Sequence, residues 1–155
     1  MNANTGIVIA YDGSENARHA ITVAAAQIGP RQADVVHVWE PLASAGSRLA
    51  IYAPMGGATA QELEAEAARA QETAEEGARL AREAGFDAEP VTLRTEGPIA
   101  AGISDYANEH APSLVVMGTR GLSGAKSLIL GSVSHYVAQH LRVPVFIVPP
   151  EHKDA

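Results

Sequence analysis

The chain has 155 residues, enough for one domain that buries about 70% of its unfolded surface in a single core, so folding needs no disulfide or bound group. With 46% hydrophobic and 19% charged residues it lacks the polarity of a disordered chain, and no apolar stretch approaches the ~18 residues of a membrane span. A net charge of −7 argues against general binding to nucleic acid or anionic membranes, and the absence of cysteine removes disulfides, thiol catalysis and thiolate metal sites together.

Any phosphate ligand must therefore be held locally, by backbone and dipoles. The opening M-N-A-N-T-G has neither the basic nor the long apolar region of a signal peptide, and a cytoplasmic protein is expected. In chain order, 6–11 (G-I-V-I-A-Y) is a short apolar run rich in β-branched residues, the pattern of a strand buried on both faces. The turn D-G-S-E-N follows. Asp12 and Glu15 stand at capping-box spacing, Ser14 is a second candidate cap, and 17–28 supply helix formers until Gly29-Pro30 stops them.

A second strand spans 33–39, ending at Trp39; the segment 40–58 after it has no clear pattern and is left unassigned. Thr59 and Glu62 form another capping box, opening the longest helix, about 25 residues rich in Ala, Glu, Gln and Arg that run to Gly85. Gly77 inside it reads as a tolerated imperfection or a point of close packing. Residues 88–94 alternate and contain Pro90, as an edge strand can. Pro98 takes the favoured first position of a third helix, in which Ile99, Ile103 and Tyr106 recur at helical spacing. The fourth strand is 114–117, a last helix starts at Ser132 as N-cap, and 143–148 (V-P-V-F-I-V) is the fifth strand. This βαβαβαβαβ series predicts a parallel sheet with helices on both faces. Ligands of such sheets bind beyond the carboxyl ends of the strands, where the strand order reverses, and the loops after strands one, two and four lie at that edge.

The loop between the fourth strand and the last helix carries the most chemistry. Gly118, Gly121, Gly124 and Gly131 permit positive φ and close approach to a ligand, and backbone N–H groups at a helix start form an anion site. A Walker A loop is excluded, because G-A-K-S at Gly124 puts alanine between glycine and lysine. The dinucleotide fingerprint is excluded too, since the first turn is D-G-S-E-N. What remains is G-x2-G-x9-G-S: Gly118, Gly121, Gly131 and Ser132.

With this spacing the chain resembles the universal stress protein family, in its ATP-binding branch. The resemblance runs through I-x-x-A-Y-D-G-S-E, the V-H-V of strand two, V-V-M-G-T-R-G and the closing V-P-V-F-I-V-P, which together cover nearly the whole chain. It implies an open five-stranded parallel sheet of order 3-2-1-4-5, adenine nucleotide alpha hydrolase-like, as one domain over 1–155 with an ordered core of about 4–149. It also implies ATP, with Mg, as the ligand. Asp12 would approach the ribose or the metal, Ala10 would neighbour the base, and Val38 would meet adenine partly through its backbone. Met117 and Gly118 would line the adenosine pocket; Gly121, Gly131, Ser132 and Val133 would cradle the phosphates, with Arg120 adding charge.

Other readings stand beside these. Asp12 is equally a helix cap, Trp39 stacks on adenine or packs, and Lys126 is balanced between phosphate contact and solvation. His135 and His140, five apart, turn away from each other, and His37 reads as packed core. No base, nucleophile or metal cage can be assigned, so the pocket is expected to bind ATP and at most hydrolyse it slowly. The expected function is a dimeric cytoplasmic stress-response regulator; a slow ATPase or nucleotidyl transferase, or a nucleotide-free interaction module, are the alternatives. The apolar strand from Val143 to Val148, at a sheet edge, would pair with its copy in a homodimer.

Overall fold

A computed structural model of the chain describes residues 6–44, 58–119 and 130–152. The elements in order are β1 (Ile7–Ala10), α1 (Glu15–Ile28), β2 (Gln32–Trp39), α2 (Ala60–Glu83), β3 (Asp87–Arg94), α3 (Ile99–His110), β4 (Leu114–Gly118), α4 (Ser132–His140) and β5 (Val145–Val148). Every strand and helix expected from the sequence is present, in that order. In the unassigned stretch after Trp39, residues 42–44 are helical, and residues 45–57 lie outside the described residues.

All strands pair in parallel, in the order β3-β2-β1-β4-β5. The alternation of a strand's side chains divides the core into two layers. Ile7 and Ile9 of β1, Val35 of β2 and Val116 of β4 face α1 and α2, meeting Ala17, Ala20, Ile21, Ala24, Ala78 and Ala81. Val8 and Ala10, Val36 and Val38, and Val115 and Met117 face α3 and α4, meeting Ala100, Ile103, Ala107 and Val137. Alanine on the buried helix faces lets those helices lie close to a sheet built of Val and Ile. The helices after β1 and β2 thus cover one face and those after β3 and β4 the other, and the winding reverses between β1 and β4.

Several local expectations change. The cap of α1 is Ser14, whose hydroxyl accepts from Ala17 N at 3.1 Å; Asp12 instead closes the turn before it, its Oδ1 accepting from Ser14 N at 2.9 Å. Thr59 and Glu62 do form the capping box of α2. Pro98 is the N-cap residue of α3 rather than its first helical residue, a shift of one position. The cap of α4 is Gly131, with no side-chain bond, and Ser132 is the first helical residue. Gly131 has φ −59°, and the glycines with positive φ among the described residues are Gly13, Gly29 and Gly85. β5 starts at Val145, two residues later than expected, because Pro144 lies outside the ladder and only its carbonyl is used, by Val115 N. Gly77 is a point of tight packing: a Cβ there would lie 2.6 Å from Tyr11 Cδ1 and 2.8 Å from Val35 Cγ1.

Candidate functional site

Ala10, the last residue of β1, and Val38 and Met117, the residues next to last in β2 and β4, lie on the α3/α4 face, each less than one-tenth exposed. Their position at the reversal between β1 and β4 is where an open parallel sheet leaves a crevice. The backbone of Val38 is the notable part. Val36 O accepts from Tyr11 N on the β1 side, and Trp39 O accepts from Thr95 N on the β3 side. Because backbone groups alternate sides along a strand, the N–H and C=O of Val38 are directed toward β1, past Ala10, the last residue of β1 in the ladder. The Val38 side chain is turned away into the core, where a Cβ on Gly102 would come within 2.8 Å of its Cγ1. Trp39, the next residue, belongs by the same alternation to the opposite face, away from Ala10, Val38 and Met117.

On one side of the crevice stands Asp12, half-buried, with one carboxylate oxygen engaged by Ser14 N. His37, also half-buried rather than in the core, braces this turn by donating from Nδ1 to the Tyr11 carbonyl at 2.9 Å. On the other side β4 runs out at Gly118, and α4 starts at Ser132. These two ends are tied together. Gly131 N donates to Thr119 O at 2.9 Å, and the Ser134 hydroxyl donates to Gly118 O at 3.0 Å and Thr119 O at 3.2 Å. The Gly131 amide is therefore committed to protein. The first turn of α4 still presents the amides of Ser132, Val133 and Ser134, which have no acceptor within their own helix. Arg120 and Gly121, with Gly124 and Lys126, lie outside the described residues.

Gly118 meets a protein group rather than open crevice. A Cβ there would fall 2.7 Å from Cγ of Asn16, whose amide donates to Val148 O at 3.1 Å and whose Oδ1 accepts from Thr119 Oγ1 at 3.3 Å. Asn16 and Ser134 are buried polar residues that sequence reading did not single out. The signal for Ser134 was available, because Ser134, Val137 and Leu141 recur at i, i+3 and i+7 on the packed side of α4. Asn16 has no such signal, since an asparagine in the first turn of a helix ordinarily reads as part of the cap.

The arrangement offers backbone donors and one carboxylate. Among the described residues no group of three or more His, Asp or Glu side chains is placed to hold a metal. Asp12 can give its second oxygen to a Mg ion, which is commonly held by one or two carboxylates together with phosphate and water. A cavity of about 290 Å³ opens at the opposite edge of the sheet, between Asp34, Asp87, Glu89 and His110. Its acidic lining does not suit phosphate.

The fold is thus that of an open, parallel α/β protein with its crevice at the switch point between β1 and β4. The model of the Universal stress protein family matches residues 4–149, and the chain belongs to that family. It is 34% identical over 148 residues to the universal stress protein YxiE of Bacillus subtilis, across 92% of this chain and 97% of that one. Among solved structures it is similar to the universal stress protein of Archaeoglobus fulgidus in complex with dAMP. That likeness has a TM-score of 0.62 and 21% identity, over 94% of this chain and 98% of that one. It is also similar to a universal stress protein family protein of Arabidopsis thaliana with AMP bound, with TM-score 0.61 and 16% identity, over 97% of this chain and 94% of that one. At these identities the likeness to the two structures is one of fold. No helix among the described residues is long and apolar enough to cross a membrane.

Proposed function

We propose that the protein binds an adenine nucleotide, ATP with Mg, in the crevice between β1 and β4, and acts as a dimeric cytoplasmic regulator in a stress response. The observation that carries this reading is the pairing of two backbone features across one crevice. The Val38 N–H and C=O, directed past the end of β1, suit the edge of a base; the first turn of α4, with its amides and dipole, suits phosphate. Asp12 stands between them for a ribose hydroxyl or for the metal. On this reading the crevice binds ATP and at most hydrolyses it slowly: among the described residues the phosphate end offers backbone amides, which hold a phosphate without activating a nucleophile. Mg would neutralise phosphate charge.

A nucleoside monophosphate is the second reading, favoured by the dAMP and AMP in the two similar structures. The test is to denature freshly purified protein and identify released nucleotide by chromatography, then follow melting with ATP, AMP and adenosine. A ligand present at about 100 times its Kd stabilises by ~2.7 kcal/mol, which for a domain of this size raises Tm by about 5–10 °C. Asp12→Ala is expected to reduce that shift while leaving the protein folded. Absence of bound nucleotide together with no shift from any of the three ligands overturns the proposal.

A further inference from the structure

Asn16 is a buried side chain of α1 that meets the carboxyl ends of both β4 and β5, on the phosphate side of the proposed site. Its amide donates to Val148 O at the end of β5, its Oδ1 accepts from Thr119 Oγ1 just beyond β4, and Gly118 has room for it only by lacking a Cβ. Thr119 in turn accepts the Gly131 amide, and Thr119 and Gly118 both accept from the Ser134 hydroxyl. A chain of hydrogen bonds thus runs from the first turn of α1, through the exit of β4, to the first turn of α4.

We infer that Asn16 is a positioning residue for the phosphate end of the site: it sets where β4 ends, and through Thr119 and Ser134 it sets where the α4 amides point. An amide is suited to this task because it donates and accepts at once. An alanine does neither, and an aspartate would turn the donor facing the Val148 carbonyl into a second acceptor. The base end of the site does not depend on Asn16, since Val38 and Ala10 are held by β1, β2 and α3. The consequence is selective: loss of Asn16 weakens the hold on phosphate and spares the hold on adenosine.

The inference rests on the nucleotide reading, and calorimetric titration of the wild-type protein with ATP and with adenosine separates the two. Asn16→Ala is expected to weaken ATP binding about tenfold and adenosine binding less than twofold. Thr119→Val, which removes one hydrogen bond at a half-buried position and leaves the shape nearly unchanged, gives the same pattern at about threefold. It decides the question if Asn16→Ala does not fold. Ile21→Val, a core change remote from the crevice, lowers Tm and leaves both affinities unchanged. Equal losses for ATP and adenosine in the folded variants, or no loss in either, overturn the role of Asn16 and leave the nucleotide reading standing. Wild-type protein that binds neither ligand overturns the nucleotide reading, and the role of Asn16 with it.

Discussion

Gly77 and Tyr11 show how a single residue is constrained by a neighbour that is remote in sequence. The Tyr11 ring lies over Gly77 on α2, and its hydroxyl donates to Glu76 at 2.5 Å while accepting from Arg18 at 3.2 Å. Gly77→Ala gains about 1 kcal/mol of helix propensity, but it drives a Cβ into the ring and into Val35, an overpacking that costs roughly 1–3 kcal/mol and leaves little room to relax. Chemical denaturation is expected to show net destabilisation of up to about 2 kcal/mol. The hydroxyl has a pH consequence. Burial, with the Glu76 carboxylate beside it, pushes the Tyr11 phenol up from 10.0 to about 12. A raised pKa means that the folded state holds its proton longer than the unfolded state. The stabilisation is therefore complete below pH 10 and is lost as pH rises toward 12. Tyr106, half-buried and donating to Asp34, is pushed up to about 12 as well. Tyr11→Phe should then roughly halve the fall in unfolding free energy between pH 10 and 12. A slope equal to that of wild type would contradict this account.

At the level of elements, the helix starts show which local signals carry through to the fold. S/T-x-x-E marks the start of α2 unambiguously: Thr59 Oγ1 accepts from Glu62 N at 3.2 Å, and Glu62 Oε2 accepts from Thr59 N at 2.7 Å. Thr59→Ala is expected to cost about 1 kcal/mol by denaturant titration, and Thr59→Gly only a few tenths. The turn D-G-S-E-N was ambiguous because Asp12 and Ser14 each offer an oxygen to a nearby amide. The resolution came from Gly13, whose φ of +82° swings the chain so that Ser14 takes the cap. The sequence places the start of α4 one residue late, since a serine beside a glycine looks like the cap when nothing else competes. Here Gly131 is tied to Thr119, which places Ser132 inside the first turn. At Gly118 the space that a Cβ would fill is taken by Asn16; apolar periodicity cannot show a buried amide arriving from another element.

For the whole molecule, strand order decides both the crevice and the assembly. β5 is an edge strand carrying Val145, Phe146, Ile147 and Val148, and among the described residues no strand lies on its outer side. Pairing with a second copy would cover that edge. Light scattering after size exclusion is expected to give a dimer, with Phe146→Asp giving monomer or aggregate; a native monomer would rule the proposal out. The sequence by itself determined the element series, the two-faced burial of the central strands and the glycine spacing that points to phosphate, because each is written in residues close together along the chain. Tertiary structure alone decided that Val38 turns its backbone to the crevice and Trp39 its ring to the other face. It also decided that Gly77 lies under Tyr11, and that Asn16 joins β4, β5 and the start of α4. Such contacts join residues up to 132 positions apart. Local propensity carries no information about them, because their partners are set by the order in which strands lie side by side.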